Sequence, residues 1–582
     1  MKNINKLVFY SSSLICTTAL YGCADKVSTT SIVEEEYKKV FGQAEKCNID
    51  LSKAPNILLI TSDQQSWNAI SCHDSTIKTP NLDRLVRAGI SFERAYTCNP
   101  VSTPTRASMI TGMYPSQHGA YALGTKLMEN VPTIGDYLNE TGYDTYLVGK
   151  AHFMPLAGNA DYPTLEGYPV LQDLDFWRKY HGPFYGFNHI DLARNHGDEG
   201  HVGQHYALWM MEKLKSEGRD PMEWQNWFRA PFIKGMNIDV DESMQGIIDL
   251  YGAKLPKAQR GAWNCPEEYH LNAWIADVSK KRINEAVESN RPFFIWSSFF
   301  DPHPPYLVPE PWDKMYNPDD MTLPFVPEND MDDMPYHYRM TQTPGSKWGK
   351  EFVEDGEEVH GFFSQIGVPE EQARKNKAIY YGMVSMMDKY IGKILDYLDE
   401  KNLTDNTIII FTTDHGNHIG SHGLHSKGGF VFEEDVKIPF VASWKNHFPE
   451  NRKSDALISI VDMAPTLLSL IGIKNLPLTM SGIDMSEVLT GRKDSLRESV
   501  IVENHFQRTK FYQKSFITKR YKIVWYMNSD EGELFDLQND PHEYNNLWSN
   551  PDFKDLKYQL LHKAMQADMR KEICPMPRVA PA

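Results

Sequence analysis

The chain has 582 residues, of which 41% are hydrophobic, so it can bury a large core. That length fits two to four domains, or one α/β core with a smaller appendage. The formal net charge is -17, from 60 basic and 77 acidic residues. Because binding to nucleic acid requires clustered Lys and Arg, this balance argues against a nucleic-acid partner. It also means that any site for an anionic ligand must be locally positive.

The N-terminus has the features of an export signal. A short positive region precedes an apolar stretch, residues 7–20, which is too short for a comfortable membrane span. The following Gly22-Cys23 resembles the end of a bacterial lipoprotein signal, with Cys23 as the lipidated residue; a plain secretory signal cleaved nearby is the alternative. We predict a signal peptide over 1–22, a polar tether over 23–53, and a lipid-anchored protein at a bacterial cell envelope, periplasmic or on the cell surface.

Four short apolar runs are typical of buried parallel strands, and polar side chains follow each of them. The runs and the residues that follow are 55–61 with Asp63, 145–149 with Lys150 and His152, 293–298 with Asp301 and His303, and 406–413 with Asp414 and His415. Helical patterns cover 133–141 and 380–401. In open α/β sheets, ligands bind outside the carboxyl ends of the strands. We therefore predict an α/β domain over 54–493 with its functional site at that edge.

The segment from about 156 to 264 has few strong periodicities, and we interpret it as long loops inserted into the core, a common location for specificity. Its aromatic and imidazole side chains suit contacts with sugar rings, although packing of the loops explains them equally well. These residues are His189, His196, His201, His205, Trp209, Trp224 and Trp227.

The tail over 494–582 has a different pattern. Short alternating runs between 500 and 537 predict antiparallel strands, and a helix is predicted from about 553 to 570. We expect a small C-terminal α+β subdomain.

The segment between Cys98 and Gly112 contains Ser102, with a proline two residues later and Arg106 four residues later. This spacing predicts Ser102 at a helix N-terminus, where backbone N–H groups favour an anion, and Arg106 on the same helix face. On this segment alone, a capped loop with Arg106 in a surface ion pair is the alternative.

Together, the candidate residues suit displacement at a sulfate or phosphate centre. Oxygen and nitrogen ligands for one divalent cation are offered by Asp63, Asp414 and His415. Positive charge for a tetrahedral oxyanion is offered by Arg106, Lys150 and Lys427. Groups able to transfer a proton are His152 and His303.

These motifs, in this order, resemble the type I sulfatase family of the alkaline-phosphatase-like superfamily. Ser102-Thr103-Pro104-Thr105-Arg106 followed by Thr111-Gly112 resembles the family signature, and Gly149-Lys150-Ala151-His152 resembles its G-K-x-H segment. The run 533–543 resembles the family's C-terminal "LYDLxxDPxE" element. The resemblance covers about 54–548 and implies a large mixed, mostly parallel sheet sandwiched by helices, with a smaller C-terminal α+β subdomain.

The resemblance also implies a modified nucleophile: Ser102 oxidised to formylglycine (3-oxoalanine), whose hydrate attacks sulfur. A serine instead of a cysteine here implies maturation by the radical type of formylglycine-generating enzyme. By the same resemblance, Arg106 and Lys150 hold the nucleophile, and Lys427 and His303 bind the sulfate. One of these last two protonates the leaving oxygen, and His152 takes the proton in the second step.

The resemblance implies one metal ion, which we assign as Ca²⁺. The implied ligands are Asp63, Gln64, Ser102, Asp414 and His415. Gln64 departs from the family pattern because many relatives have an acidic residue there, and the change removes one negative charge from the metal shell. Thr105 is a milder departure, at a signature position that usually holds a small residue such as serine.

The resemblance implies a sulfatase, and the predicted envelope location favours a sulfated carbohydrate: a glycosaminoglycan, a mucin glycan or an algal polysaccharide fragment. Three alternatives stay open. They are a choline- or aryl-sulfatase, a phosphonate or phosphate monoester or diester hydrolase of the same superfamily, and a non-enzymatic lipoprotein that binds sulfated glycans.

Overall fold

A computed structural model of the chain describes residues 49–229, 261–343, 368–473, 475–506 and 509–572. The predicted signal peptide, Cys23 and nearly all of the predicted tether lie outside these ranges, as do residues 230–260 of the predicted insertion. None of the helices in these ranges has the length and apolar character needed to cross a membrane.

The described residues contain a central sheet of nine strands. Its strands are β1 (Asn56–Ser62), β2 (Ile90–Tyr96), β3 (Asp144–Lys150), β4 (His189–Ala193), β6 (Phe293–Ser298), β8 (Thr407–Thr413), β9 (Lys437–Ile438), β10 (Phe440–Ser443) and β11 (Arg452–Ser459). A separate two-stranded sheet is formed by β5 (Gly261–Ala262) and β7 (Leu307–Val308).

The described residues also contain thirteen α-helices. They are α1 (Pro80–Arg87), α2 (Ser102–Thr111), α3 (Pro115–His118), α4 (Ile134–Thr141), α5 (Leu174–Trp177), α6 (Gln204–Ser216), α7 (Leu271–Ser289), α8 (Tyr336–Met340), α9 (Glu370–Glu400), α10 (Glu433–Val436), α11 (Met463–Leu470), α12 (Ser486–Leu489) and α13 (Lys554–Met569).

The strand order is β11-β2-β10-β8-β1-β6-β3-β4, with β9 paired to β2. β1 runs parallel to β6 and β8, β3 runs parallel to β4 and β6, and β11 runs parallel to β2. Only β9 and β10, among these described strands, pair antiparallel to their neighbours. The predicted mixed, mostly parallel α/β sheet is confirmed.

The apolar run of β1 is buried on both faces of the sheet. Ile57 and Leu59 pack into one core cluster, whereas Leu58 and Ile60 pack into the other. This division follows from the two-residue period of a strand, which sends successive side chains to opposite faces. Each such side chain contributes about 2 kcal/mol by its burial, so a continuous apolar run favours a strand covered by helices on both sides.

The predicted helix over 380–401 corresponds to the last two thirds of α9, which begins ten residues earlier at Glu370. Its first turns are rich in Glu, Gln, Lys and Arg, which favour a helix without marking a buried face. The predicted insertion over about 156–264 contains β4, which pairs with β3, as well as α6. Part of this segment therefore belongs to the central sheet.

The C-terminal part forms a four-stranded antiparallel sheet with α13. Its strands are β12 (Ser499–His505), β13 (Tyr512–Thr518), β14 (Tyr521–Tyr526) and β15 (Gly532–Asp536). Ile501 and Ile523 pack into a core cluster that also contains residues of the central sheet. Val500 and Val502 pack with Phe430 in another cluster. The predicted α+β subdomain is therefore present and packs directly against the catalytic fold.

Candidate active site

The central site lies where the carboxyl ends of β1, β3 and β8 meet the N-terminus of α2. Ser102, the first residue of α2, is fully buried. Its Oγ lies 3.0 Å from His415 Nε2, 3.4 Å from Asp63 Oδ1 and 3.4 Å from Lys150 Nζ. Residues from three other segments of the sequence therefore converge on the Ser102 hydroxyl group.

Local sequence explains why α2 begins at Ser102. Val101 has extended backbone angles, and its N–H donates to Asn99 Oδ1 at 2.9 Å, so the chain turns immediately before the helix. At the other end, Gly112 adopts a left-handed conformation (φ 65°), and a Cβ there would lie 3.0 Å from the Met480 side chain. The Ser102 and Gly112 positions of the motif are thus the two ends of one buried helix.

Arg106 ties α2 to the strand ends. Its Nε donates to Asp414 Oδ2 at 2.8 Å, and its Nη1 donates to the Lys150 carbonyl at 3.0 Å and to Ser298 Oγ at 2.7 Å. Arg106 and Asp414 are both fully inaccessible to solvent. This geometry excludes the surface ion pair that the sequence left open. Removing one partner of such a buried pair typically costs about 3–5 kcal/mol.

Lys150 and Asp63 form a second buried ion pair beside Ser102. Lys150 Nζ is hydrogen-bonded to Asp63 Oδ2. Burial lowers the pKa of Lys150 to about 7, against the opposing charge of Asp63. Burial also acts to raise the pKa of Asp63, but the positive charge of Lys150 and the neighbouring imidazoles outweigh it and hold that pKa well below its usual range. Asp63 is therefore a carboxylate near neutral pH.

His415 presents an unprotonated nitrogen to Ser102. Its Nδ1 lies 3.0 Å from the Gly416 carbonyl, which can only accept, so Nδ1 carries the proton. Burial lowers the pKa of His415 to about 4, which keeps the ring neutral and leaves a lone pair on Nε2. Lys427 Nζ lies 3.1 Å from that same nitrogen, and burial lowers the pKa of Lys427 as well.

A ring nitrogen of His303 lies within 4.8 Å of an Asp63 carboxylate oxygen. The His303 Nδ1 is 2.5 Å from the Pro304 carbonyl, so Nδ1 donates and Nε2 is the free nitrogen. Burial and the neighbouring His196 hold the pKa of His303 well below its usual range. The loop following β6 is itself anchored, because Asp63 N–H donates to the Asp301 carbonyl at 3.1 Å.

His196 belongs to this site, although the sequence suggested only sugar contacts or loop packing for it. Its ring stacks on His303 at 3.9 Å between centroids, and its Nε2 lies 3.0 Å from Lys150 Nζ. Its Nδ1 lies 3.0 Å from Glu199 Oε2. His196 follows β4 by three residues, so it too lies just after the carboxyl end of a strand. A fifth strand end was therefore the sequence signal that could have identified it. That strand was not predicted because its sequence, HIDLA, is interrupted by polar residues.

His152 is held by its backbone. It has a positive φ of 64°, and its N–H donates to Glu166 Oε1 at 2.6 Å. Glu166 Oε2 accepts from Phe153 N–H and Met154 N–H at 2.7 and 2.8 Å. Burial, followed by the charge of Arg194, holds the pKa of His152 well below its usual range. The His152 Nδ1 is buried without a hydrogen-bond partner among the described residues.

Gln64 has the geometry of a residue that presents a carbonyl oxygen to a ligand. Its backbone is left-handed (φ 62°), its N–H donates to Asp414 Oδ1 at 3.1 Å, and its Nε2 donates to Ser426 Oγ at 2.8 Å. Its Oε1 is buried and has no hydrogen-bond partner in the described part of the chain. An unpartnered buried oxygen is costly unless a ligand or water satisfies it.

Two groups of side chains at this site have the spacing of metal ligands. One ligand atom from each of Asp63, Asp414 and His415 lies within 4.8 Å of the others, and the same is true of Asp63, His196 and His303. The first group lies beside Gln64 and Ser102 and is rich in oxygen, which fits Ca²⁺ or Mg²⁺. The predicted metal ligands are thus brought together around Ser102.

Comparison with known proteins supports this interpretation. The sulfatase family model matches residues 55–473, and a model described as N-sulphoglucosamine sulphohydrolase, C-terminal, matches residues 420–571. An arylsulfatase from Clostridium perfringens is 27% identical over 508 residues, which is 86% of this chain and 92% of that protein. An N-acetylglucosamine-6-O-sulfatase from Bacteroides thetaiotaomicron is 24% identical and covers 88% of this chain and 85% of its own.

Among solved structures, the phosphonate monoester hydrolase of Agrobacterium radiobacter superposes with a TM-score of 0.67 at 22% identity, covering 89% of this chain and 96% of the other. At that identity the likeness concerns the fold alone. Because the sulfatase family model spans most of the chain, and because the strand ends gather carboxylates, amines and imidazoles around Ser102, the protein belongs to the sulfatase family and is a sulfuric ester hydrolase.

Proposed function

We propose that the protein removes sulfate from a sulfated carbohydrate, using a formylglycine made from Ser102 and one bound Ca²⁺. The observation that carries the proposal is the position of the Ser102 Oγ, within 3.4 Å of a carboxylate, an amine and an imidazole. The named activity of the Bacteroides relative, an N-acetylglucosamine-6-O-sulfatase, supports a sugar substrate.

The residues present fit a divalent cation. Asp63, Gln64, Asp414 and His415 would hold it together with residue Ser102. Ligand atoms of the two carboxylates and the unprotonated imidazole lie within 4.8 Å of one another, and Gln64, whose N–H donates to Asp414, has an unpartnered buried amide oxygen. When bound, the cation neutralises charge on the sulfate oxygens and lowers the pKa of the attacking hydroxyl. Because Gln64 is neutral where many relatives have a carboxylate, the set of metal ligands has one negative charge fewer. This lower negative charge favours the binding of an anionic sulfate.

Oxidation of Ser102 to formylglycine would supply a hydrated aldehyde, a better nucleophile than a serine hydroxyl and one able to release the product. Arg106 fixes the start of α2 against Asp414, and Lys150 places a positive charge 3.4 Å from the nucleophilic oxygen. These two residues therefore orient residue 102 and stabilise negative charge on it.

Lys427 and His303 would bind the sulfate group. Lys427 Nζ, whose pKa burial lowers, would donate a proton to the leaving oxygen of the sugar. His303 would receive the sulfate at its free Nε2 once that nitrogen is protonated beside the bound anion. His152 is neutral and has an unpartnered Nδ1, so it would accept the proton in the second step.

An aryl- or choline-sulfatase activity is the small-molecule form of the same proposal, and the Clostridium relative is named an arylsulfatase. Hydrolysis of phosphate or phosphonate esters is the second candidate, favoured by a relative from Trinickia caryophylli, 27% identical over 541 residues, that is named a multifunctional alkaline phosphatase superfamily protein. A site with a single cation suits a monoanionic sulfate or a diester better than a dianionic phosphate monoester.

We also propose, from the sequence, that a radical-type maturase oxidises Ser102 and that a lipid on Cys23 anchors the protein at the cell envelope. Residues 1–22 would be the signal, 23–53 the tether, 54–493 the catalytic domain and 494–582 the C-terminal subdomain.

The test is turnover by protein made with and without a radical-type maturase. We expect maturase-dependent hydrolysis of 4-nitrophenyl sulfate and of a sulfated glucosamine, with kcat/KM for 4-nitrophenyl sulfate at least 100-fold above that for 4-nitrophenyl phenylphosphonate. A preference for phosphonate would replace the proposed substrate class. Turnover of aryl sulfates without turnover of sulfated sugars would replace the proposed carbohydrate sulfatase with an aryl- or choline-sulfatase.

A further inference from the structure

Arg194 is a buried cation at the edge of the active site. It directly follows β4, whose last residue, Ala193, pairs with Lys150 in the sheet. Because neighbouring strands lie about 5 Å apart, Arg194 starts one strand away from Lys150 and on the same carboxyl edge. Only 8% of Arg194 is exposed, and its Nη1 is buried with no hydrogen-bond partner in the described ranges.

The two carboxylates beside Arg194, those of Glu166 and Glu199, already accept hydrogen bonds from other donors. Glu166 Oε1 lies 3.8 Å from Arg194 Nη1, beyond hydrogen-bond distance, because both Glu166 oxygens accept backbone N–H groups from residues 152–154. Glu199, which also attracts Arg194 electrostatically, places its Oε2 on the backbone N–H and Nδ1 of His196. Arg194 thus keeps a charge that these carboxylates neutralise only from a distance.

A guanidinium group has five N–H donors in a planar fork that matches a carboxylate or a sulfate. Leaving one of these donors buried without an acceptor, as the Nη1 of Arg194 is, is costly, so such a site is stabilised when an anion binds. The proposed catalytic steps do not require Arg194. Lys150 contacts Asp63 and Ser102 directly, and the proposed sulfate-binding residues, Lys427 and His303, lie 3.1 Å from His415 and within 4.8 Å of Asp63, respectively.

We propose that Arg194 binds a second anionic group of the same substrate, a carboxylate or a further sulfate, while the first sulfate is cleaved. This inference rests on the proposed carbohydrate sulfatase activity and narrows it. The substrate class would be a sulfated sugar that carries a second anion close to the scissile ester, either on the same ring or on an adjoining uronic acid.

The test compares substrates that differ only in the second anion. The pairs are N-acetylglucosamine 6-sulfate with glucosamine 2-N,6-O-disulfate, and a 6-sulfated glucosamine linked to a neutral hexose with the same disaccharide in which that hexose is the corresponding uronic acid. An aryl pair, 4-nitrophenyl sulfate with 2-carboxy-4-nitrophenyl sulfate, contains no sugar. The readout is the ratio of kcat/KM within each pair, for the wild-type enzyme, Arg194→Gln and Arg194→Lys.

In the wild-type enzyme we expect the second anion to raise kcat/KM at least tenfold in at least one pair, and the favoured pair identifies the anion as sulfate or carboxylate. Arg194→Gln should abolish that ratio, and Arg194→Lys, which keeps the charge but not the fork, should retain part of it. Arg229→Gln is the matched control, because Arg229 Nε is committed to Asp198 Oδ1 at 2.8 Å. That variant should keep the wild-type ratio.

The inference is overturned if no pair shows a preference in the wild-type enzyme, or if Arg194→Gln keeps the preference. Should Arg194→Gln fail to fold, an undiminished ratio in Arg194→Lys overturns it equally. Failure of the proposed function has a different signature: neither sugar pair is hydrolysed by the wild-type enzyme while the aryl pair is. In that case the role of Arg194 is decided by the ratio of kcat/KM within the aryl pair, compared between the wild-type enzyme and the Arg194 variants.

Discussion

The Nε of Arg106 donates to Asp414 Oδ2 at 2.8 Å, and neither side chain is accessible to solvent. The contact joins the helix that begins at Ser102 to the strand end that carries two of the proposed metal ligands. The position of the nucleophile and the shape of the cation site are therefore fixed by the same ion pair.

Replacing Arg106 should damage both parts of the site at once. Arg106→Ala leaves Asp414 as an unpaired buried carboxylate, and we expect a loss of about 3–5 kcal/mol in unfolding free energy. Arg106→Lys keeps a charge but cannot reach Asp414, Ser298 and the Lys150 carbonyl together, so it should fold better than the alanine variant and still lose at least 100-fold in kcat. Urea unfolding and steady-state kinetics check this. Near-wild-type kcat in Arg106→Lys would show that the fork geometry is unimportant.

Gln64 should set the affinity of the cation site. Gln64→Glu adds a carboxylate beside Asp63 and Asp414, so we expect Ca²⁺ to bind at least tenfold more tightly, while Gln64→Ala, which lacks the unpartnered Oε1, should bind more weakly. Calorimetric titration of the chelator-treated protein with Ca²⁺ gives the affinities without any turnover. Equal affinities in all three proteins would mean that residue 64 is not a ligand.

Glu166 should act on catalysis through His152. Its carboxylate holds three consecutive backbone N–H groups, including that of His152 in a left-handed conformation. Glu166→Gln loses one acceptor oxygen and should therefore misplace His152. Because His152 accepts a proton only in the second step, after the sulfate has bound, we expect kcat to fall about tenfold or more with little change in KM. A parallel rise in KM with unchanged kcat would assign Glu166 to substrate binding instead. The pH profile of kcat supplies a second readout, since a displaced His152 should titrate differently.

Glu533 should make stability depend on pH. Burial raises its pKa to about 7 from an ordinary value near 4.5, and its oxygens accept from the hydroxyls of Tyr526 and Tyr338. Between these two pH values the folded protein binds a proton that the unfolded chain has released. The stabilisation that this proton provides is therefore fully present below about pH 4.5 and is lost as the pH rises through 7. The loss lowers the unfolding free energy by about 3 kcal/mol.

Glu533→Gln removes this titration while keeping a neutral side chain of the same shape. We expect the unfolding free energy of the variant to fall less steeply than that of the wild-type protein between pH 4.5 and 7. Urea unfolding at several pH values provides the comparison, and parallel slopes for the two proteins would contradict the assignment.

Much of the site could be predicted because it lies at strand ends. The apolar runs before Asp63, Lys150, His303 and Asp414 are long enough to be recognised, and parallel strands necessarily bring their carboxyl ends to one edge. His196 and Arg194 lie at the same edge but follow β4, whose His189 and Asp191 interrupt the apolar pattern. Glu166 could not be found from the sequence, because it acts on backbone groups of another segment and no residue pattern marks such a contact.

The central claim is that Ser102 becomes the nucleophile by oxidation, and mass spectrometry of the peptide containing Ser102 tests it most directly. The protein should be isolated from a host with a radical-type maturase. We predict that this peptide has lost two hydrogens and reacts with a hydrazide, as an aldehyde at residue 102 requires. Unmodified serine throughout, in protein that hydrolyses sulfate esters, would contradict the account.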